Sequence, residues 1–152
     1  MGRWVIALFI VFIVGFFIYV NVNNHLPEGL GVTEEGLLKA CPASPNCVST
    51  QALVDDVNHY IDPIVYRGNR KDTQLAIESF MLEKDNARIV SHSLGYVHFE
   101  VTSRLIGYVD DVEFYLPEAD SVVHARSASR VGYSDLGVNR DRVQQVQNLL
   151  AD

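Results

Sequence analysis

Basic residues are scarce in this chain: 12 Lys and Arg stand against 19 Asp and Glu in 152 residues, a formal net charge of −7. Nucleic-acid binders need basic surface to neutralise phosphates, so no nucleic-acid partner is expected. Cysteine is nearly absent, with only Cys41 and Cys47 in the run CPASPNC. Two thiols at this spacing match no zinc signature. There is no internal repeat and no low-complexity tract. Charge and proline are missing altogether from residues 4–20, WVIALFIVFIVGFFIYV, and no Lys or Arg occurs between Arg3 and Lys39.

As a helix that apolar run spans roughly 26 Å at about 1.5 Å per residue, close to a thin bilayer core. Trp4 and Tyr19 stand at its ends, where amphipathic aromatics favour the headgroup level. With Arg3 and the α-amino group before it and no basic residue soon after, the N-terminus is expected in the cytoplasm and the rest beyond the membrane. The run is longer than a usual signal-peptide core, and NVNNHLPEG after it holds no small-x-small cleavage site. LKAC at 38–41 lies too far from it for lipoprotein processing, and Ile6 stands where myristoylation needs Ser or Thr.

The expectation is an uncleaved transmembrane signal anchor over 1–22, a linker over 23–40 and an exported domain over 41–152. This places the chain as a single-pass protein of the inner (cytoplasmic) membrane with a periplasmic or otherwise extracytoplasmic domain. Without the anchor, eleven basic residues face nineteen acidic ones, a net charge of −8. About 130 residues make one domain with a sizeable core. Beyond the membrane a Cys41–Cys47 disulfide is the default, worth about 2.4 kcal/mol for a loop of about seven residues.

Residues 41–55 read as a loop and 59–66 as a short extended segment that Pro63 confines to a sheet edge. Asp72 caps a helix over 72–84 with Thr73, Ile77, Phe80, Met81 and Lys84 on one face. Four strands follow at 87–93, 96–103, 107–116 and 121–129, with links short enough for hairpins. A final helix takes Asn139 as its cap, Val138 and Val143 as a staple, and Val143, Val146 and Leu150 as its stripe. The expected fold class is α+β: a four-stranded antiparallel meander packed on one face by two helices, preceded by a single N-terminal transmembrane helix.

Alternation assigns Val97, Phe99, Val101, Val112, Phe114, Val123 and Ala125 to the core face. With turns centred on 105–106 and 118–119, the outer face carries two rows, His98–Glu113–His124 and Glu100–Asp111–Arg126. Two imidazoles flanking a carboxylate suggest a metal site, with Glu100 or Asp111 as the base of a metal-dependent hydrolase. Cross-strand charge pairing explains the same rows without function, and a one-residue slip dissolves them. No cofactor is expected.

Residues 126–142, RSASRVGYSDLGVNRDR, form a basic island in an acidic domain. Arg126, Arg130 and Arg140, with the hydroxyls of Ser127, Ser129 and Ser134, are candidates for gripping an anion at a helix N-terminus. Alternatively these arginines pair with Asp110, Asp111, Asp135 and Glu113 and fasten a long loop to the sheet. Arg140 and Arg142 are misplaced for the helix dipole. Ser134 lacks a nucleophile elbow, because Leu136 stands where G-x-S-x-G needs its second glycine.

CPASPNCVST at 41–50, SRLIGYVDDVEF at 103–114 and RSASRVGYSDLGVNR at 126–140 together resemble the bacterial and plastid family called domain of unknown function 1499. The resemblance covers about residues 30–150. It implies that Cys41, Cys47, Asp110, Asp111, Glu113, Arg126, Arg130, Ser134, Asp135, Asn139 and Arg140 are hallmark positions, and it implies no activity, substrate or catalytic residue. The functional expectation is a membrane-anchored extracytoplasmic domain that binds an anionic small molecule or envelope component through the Arg-Ser segment, without catalysis. A structural or assembly role in a membrane complex ranks second and a metal-dependent hydrolase third; the expected partners are the membrane, through the N-terminal helix, and a small anionic ligand or an envelope protein.

Overall fold

Period-two alternation over residues 87–129 builds the centre of the molecule, four antiparallel strands connected in sequence. The computed structural model describes residues 2–84 and 86–151. Residues 1, 85 and 152, which fall inside the expected anchor and exported-domain limits, lie outside the described residues. The elements are α1 (Gly2–Asn23), β1 (Cys47–Ser49), β2 (Ile64–Val65), α2 (Arg70–Leu82), β3 (Ala87–Ser93), β4 (Tyr96–Thr102), β5 (Val109–Tyr115), β6 (Val122–Ser129) and α3 (Val138–Ala151). The fold is α+β, with an apolar N-terminal helix long enough to cross a membrane.

The sheet has six strands, not the four expected, in the order β1-β6-β5-β4-β3, with β2 pairing the start of β6. Of the two further strands, β2 has two residues and falls within the 59–66 segment expected to be extended at a sheet edge, and β1 has three. Periodicity cannot register in so few residues, so β1 lay hidden in an expected loop. Two helix caps also differ from expectation. Asn69, not Asp72, caps α2 by accepting from the Asp72 backbone N–H. At α3 the Asp135 carboxylate accepts from the N–H groups of Gly137 and Asn139, and Asn139 turns inward.

The core lies between one sheet face and both later helices. Val97, Phe99, Val112, Phe114, Val123 and Ala125 are fully buried there with Ile77 and Met81 of α2 and Val143 and Val146 of α3. The rings of Phe99 and Phe114 meet edge to face at 6.2 Å. At about 25 cal/mol per Å² of apolar surface removed from water, this layer is the main source of folding free energy.

The β3–β4 hairpin shows how closely the helix layer fits. Gly95 sits at φ 90°, donates its N–H to Gln74 and accepts at its carbonyl from Leu116. A Cβ there would run into the guanidinium of Arg70, whose Nε is committed to the Leu116 carbonyl at 2.7 Å. Gly95→Ala is expected to lower stability by at least about 1 kcal/mol through the positive φ alone, with the Arg70 clash added. Urea denaturation should show a lower midpoint with an unchanged m value.

Candidate functional site

The sheet face opposite the core was expected to face outward. Instead, residues 24–46 cross it as a strap. Asn24 starts the strap by bridging the Gly107 carbonyl (2.6 Å) and the Val109 N–H (3.2 Å). Gly31, at φ 113°, a conformation that favours glycine, brings its N–H to within 2.7 Å of Glu113 Oε1. Gln51 holds the Leu38 N–H and the Gly36 carbonyl. The Cys41–Cys47 disulfide then ties the strap to β1. The strap carries no hydrophobic period, so nothing in its pattern announces that it covers a sheet.

Beneath it lies a layer of buried charge. His98, Glu100, Asp111, Glu113 and Arg126 are all buried, and the Arg130 side chain is 5% exposed. Arg130 donates from Nε and Nη2 to the two oxygens of Asp111 (2.9 and 2.7 Å), and from Nη2 to Glu100 (2.5 Å). Arg88 pairs with the other Glu100 oxygen. His98 bonds Asp111 at 2.8 Å. Burial opposes ionisation of Asp111, but Arg130 and His98 outweigh it and hold the carboxyl below its usual range. Burial likewise works against the charge on Arg130, and Asp111 with Glu100 reverses it.

Arg126 is served less well. Its Nη1 reaches Glu113 at 3.4 Å, and its buried Nε has no partner. Glu113 already accepts from Tyr96 Oη at 2.8 Å and from Gly31. Burial pulls the Arg126 pKa down, against Glu113 and Asp111 pulling it up, and the Tyr96 phenol is pushed well above its usual value by burial beside Glu113. Arg126 and Arg130 line a cavity of about 260 Å³ with Lys39, Asp111 and the Cys41–Pro42 corner of the strap. A larger cleft of about 500 Å³ on the other side of that corner, reaching His59, contains no orphaned buried atom.

The β5–β6 register corrects the expected rows. Glu113 stands opposite Arg126 and Tyr115 opposite His124, two residues away from the expected pairing, while His98 does face Glu113 and Glu100 does face Asp111. The 117–121 turn is longer than a tight hairpin. A two-residue shift keeps every side chain on its expected face but changes its neighbour. His124 is thereby removed from His98 and Glu113. It stacks on Tyr115 and meets Thr50, and burial lowers its pKa against the pull of Asp120. Among the described residues no group of three or more His, Cys, Asp or Glu is placed to hold a metal ion.

The Arg-Ser candidates divide between the two faces. Arg126 and Arg130 point to the strap, whereas Ser127 and Ser129 point to α3. There Ser127, Ser129, Asn139, Arg142 and Asp110 form a closed network, with Arg142 reaching Asp110 at 2.8 Å. Arg140 caps the carbonyls of Val57, Asn58 and Tyr60, and Ser134 accepts from the Leu136 N–H as a turn residue. These residues fasten; they do not converge on one pocket. Lys39 and Tyr96 were missed. Tyr96 shares parity with His98 and Glu100, a signal that would have found it, while Lys39 had none beyond nearness to Cys41.

Fold and site together define a small α+β module that closes a strap over a buried ionic layer. The chain belongs to the family described as protein of unknown function (DUF1499), whose model matches residues 37–150. No curated protein and no solved structure matches the chain.

His59, at the start of the segment expected to be extended, is buried against Asp56 Oδ2 at 2.7 Å, with its Nε2 on the Ser44 carbonyl. The bond to Asp56 raises the His59 pKa from 6.5, and the bond to His59 lowers that of Asp56 from 3.8. The His59 contribution is therefore complete below about 6.5 and fades as pH rises through the raised value, while the Asp56 contribution is complete above about 3.8 and is lost as pH falls through the lowered value. The Tm gap between wild type and Asp56→Asn is expected to be widest between those limits and to narrow in alkaline solution. Scanning calorimetry across pH checks it.

Proposed function

We propose that this protein is a membrane-anchored, extracytoplasmic binding module that holds a small oxyanion, a phosphate or carboxylate group, in the cavity under the strap. The observation that carries the reading is the buried Arg126 Nε without a partner. An unsatisfied buried donor costs about 1–3 kcal/mol, more on a charged group, and an anion oxygen would remove that cost. Glu113 Oε1 already accepts from Gly31 and Tyr96, and Oε2 meets Arg126 only through Nη1 at 3.4 Å, so an anion oxygen from outside would complete the Nε donor. Asp111 in the cavity wall is already neutralised by Arg130 and His98, which lowers its repulsion toward a ligand. Lys39 adds a cation at the rim, where among the described residues its Nζ bonds a single carbonyl, that of Glu28.

The reading uses Arg126 and Arg130 from the expected set and adds Lys39. It leaves Ser127, Ser129, Ser134 and Arg140 to their structural bonds. A hydrolase built on His98, Glu113 and His124 draws no support from these positions, and no observation favours an assembly role.

The test is a titration of isotopically labelled full-length protein in lipid nanodiscs with inorganic phosphate, and separately with acetate, following the Arg126 Nε–Hε resonance. A saturable shift is expected with at least one anion. Removing Arg126 itself would strand Glu113 in the interior, so the informative variant is Lys39→Gln, which leaves the buried layer intact. It should weaken affinity about tenfold, the equivalent of one charge-assisted hydrogen bond of about 1.4 kcal/mol. A resonance indifferent to both anions overturns the proposal.

A further inference from the structure

The last turns of α1 do not leave the domain behind. Val20 is buried, and Phe16, Asn23 and Asn24 are half-buried, a spacing of one helix face. Phe16 meets Tyr108 edge to face at 6.5 Å, and Asn24 is bonded on both sides of that tyrosine, to Gly107 and Val109. Phe16 lies four residues before Val20, the end of the apolar run, or about 6 Å along the axis. The β4–β5 hairpin therefore stands beside the apolar part of α1, not beyond it.

This end exposes large apolar side chains beside the polar Ser103 and Arg104. Leu105 at the hairpin tip is 91% exposed. Tyr108 and Leu136 line the same shallow cavity, so the 131–138 loop sits at this end too. Leu136 is 93% exposed and has φ 57°, the left-handed region that disfavours a branched side chain. A leucine held there, bare, gains nothing from the fold. Exposure alone does not mark a surface, since Leu53, Val54 and Val57 are also exposed. Continuity with a bilayer-length helix does.

We infer that the β4–β5 hairpin and the 131–138 loop are seated in the lipid headgroup layer, with Leu105 and Leu136 reaching toward the acyl chains, so that the domain is docked on the bilayer and not suspended from it. The occupant of this surface is the membrane in which α1 lies. Because the inserted side chains, Leu105 and Leu136, are apolar, their insertion needs no anionic lipid, which a domain of net charge −8 would repel.

The experiment places one tryptophan at either end of β4. In full-length Trp4→Phe protein, Leu105→Trp reports the inferred membrane end and Leu94→Trp, on the exposed opposite hairpin, the far end. Each is reconstituted into phosphatidylcholine vesicles with and without bromine on the acyl chains. Leu105→Trp is expected to emit at shorter wavelength and to be quenched several-fold more than Leu94→Trp. Equal quenching at both positions, or none at Leu105→Trp, overturns the inference. Failure of the protein to float with the vesicles overturns it together with the membrane-spanning reading of α1, whereas flotation with an unquenched Leu105→Trp leaves that reading standing.

Discussion

The guanidinium of Arg130 joins four parts of the molecule. It is carried just past β6, grips Asp111 on β5 and Glu100 on β4, and donates to the carbonyl of Asn24 where α1 ends. Each of those partners is otherwise a charged or polar group out of water. Losing one member of such a buried set costs about 3–5 kcal/mol, because the others are left uncompensated. A well-packed apolar layer of similar volume would be at least as stable. What the ionic layer provides is direction: it accepts the strap in one position, through specified donors such as the Gly31 N–H, where an oily face would accept many.

The two faces of the sheet thus solve different problems. The face under α2 and α3 is filled by aromatic and branched side chains and supplies the free energy of folding. The other face is polar, and a strap of irregular backbone suits it, since such backbone carries its own unpaired N–H and carbonyl groups. Gln51 and Asn24 serve as adaptors: Gln51 bonds one N–H and one carbonyl of the strap, and Asn24, on the strap, bonds one of each on the β4–β5 hairpin. The disulfide holds the strap against β1 at the corner separating the two cavities. Among the buried side-chain atoms of the described residues, the Arg126 Nε is left as an open donor, and Arg126 lines the cavity between strap and sheet.

Much of the fold was legible in the residues. Alternation placed four strands within a residue or two and separated core from polar positions correctly, because burial on one face imposes period two over seven or eight residues. Pairing about Leu105–Ile106 was also correct, since a short turn fixes the register. The longer turn after Leu116 did not, and the β6 register slipped by two. Candidate residues were therefore named on the right faces but combined with the wrong neighbours. His124 was drawn into a triad it does not join, and Arg126 was set opposite Asp111 when it faces Glu113.

By itself the sequence determined what local pattern and composition control: an uninterrupted apolar helix, a small acidic domain, a sheet with one apolar and one charged face, two cysteines close enough to pair. Tertiary structure alone decided that the charged face is interior and that Lys39 meets Arg126 across a cavity. The reason is physical. Periodicity reports which side of an element a residue occupies, whereas burial of a polar side depends on a distant, patternless segment that finds its place only through specific hydrogen bonds.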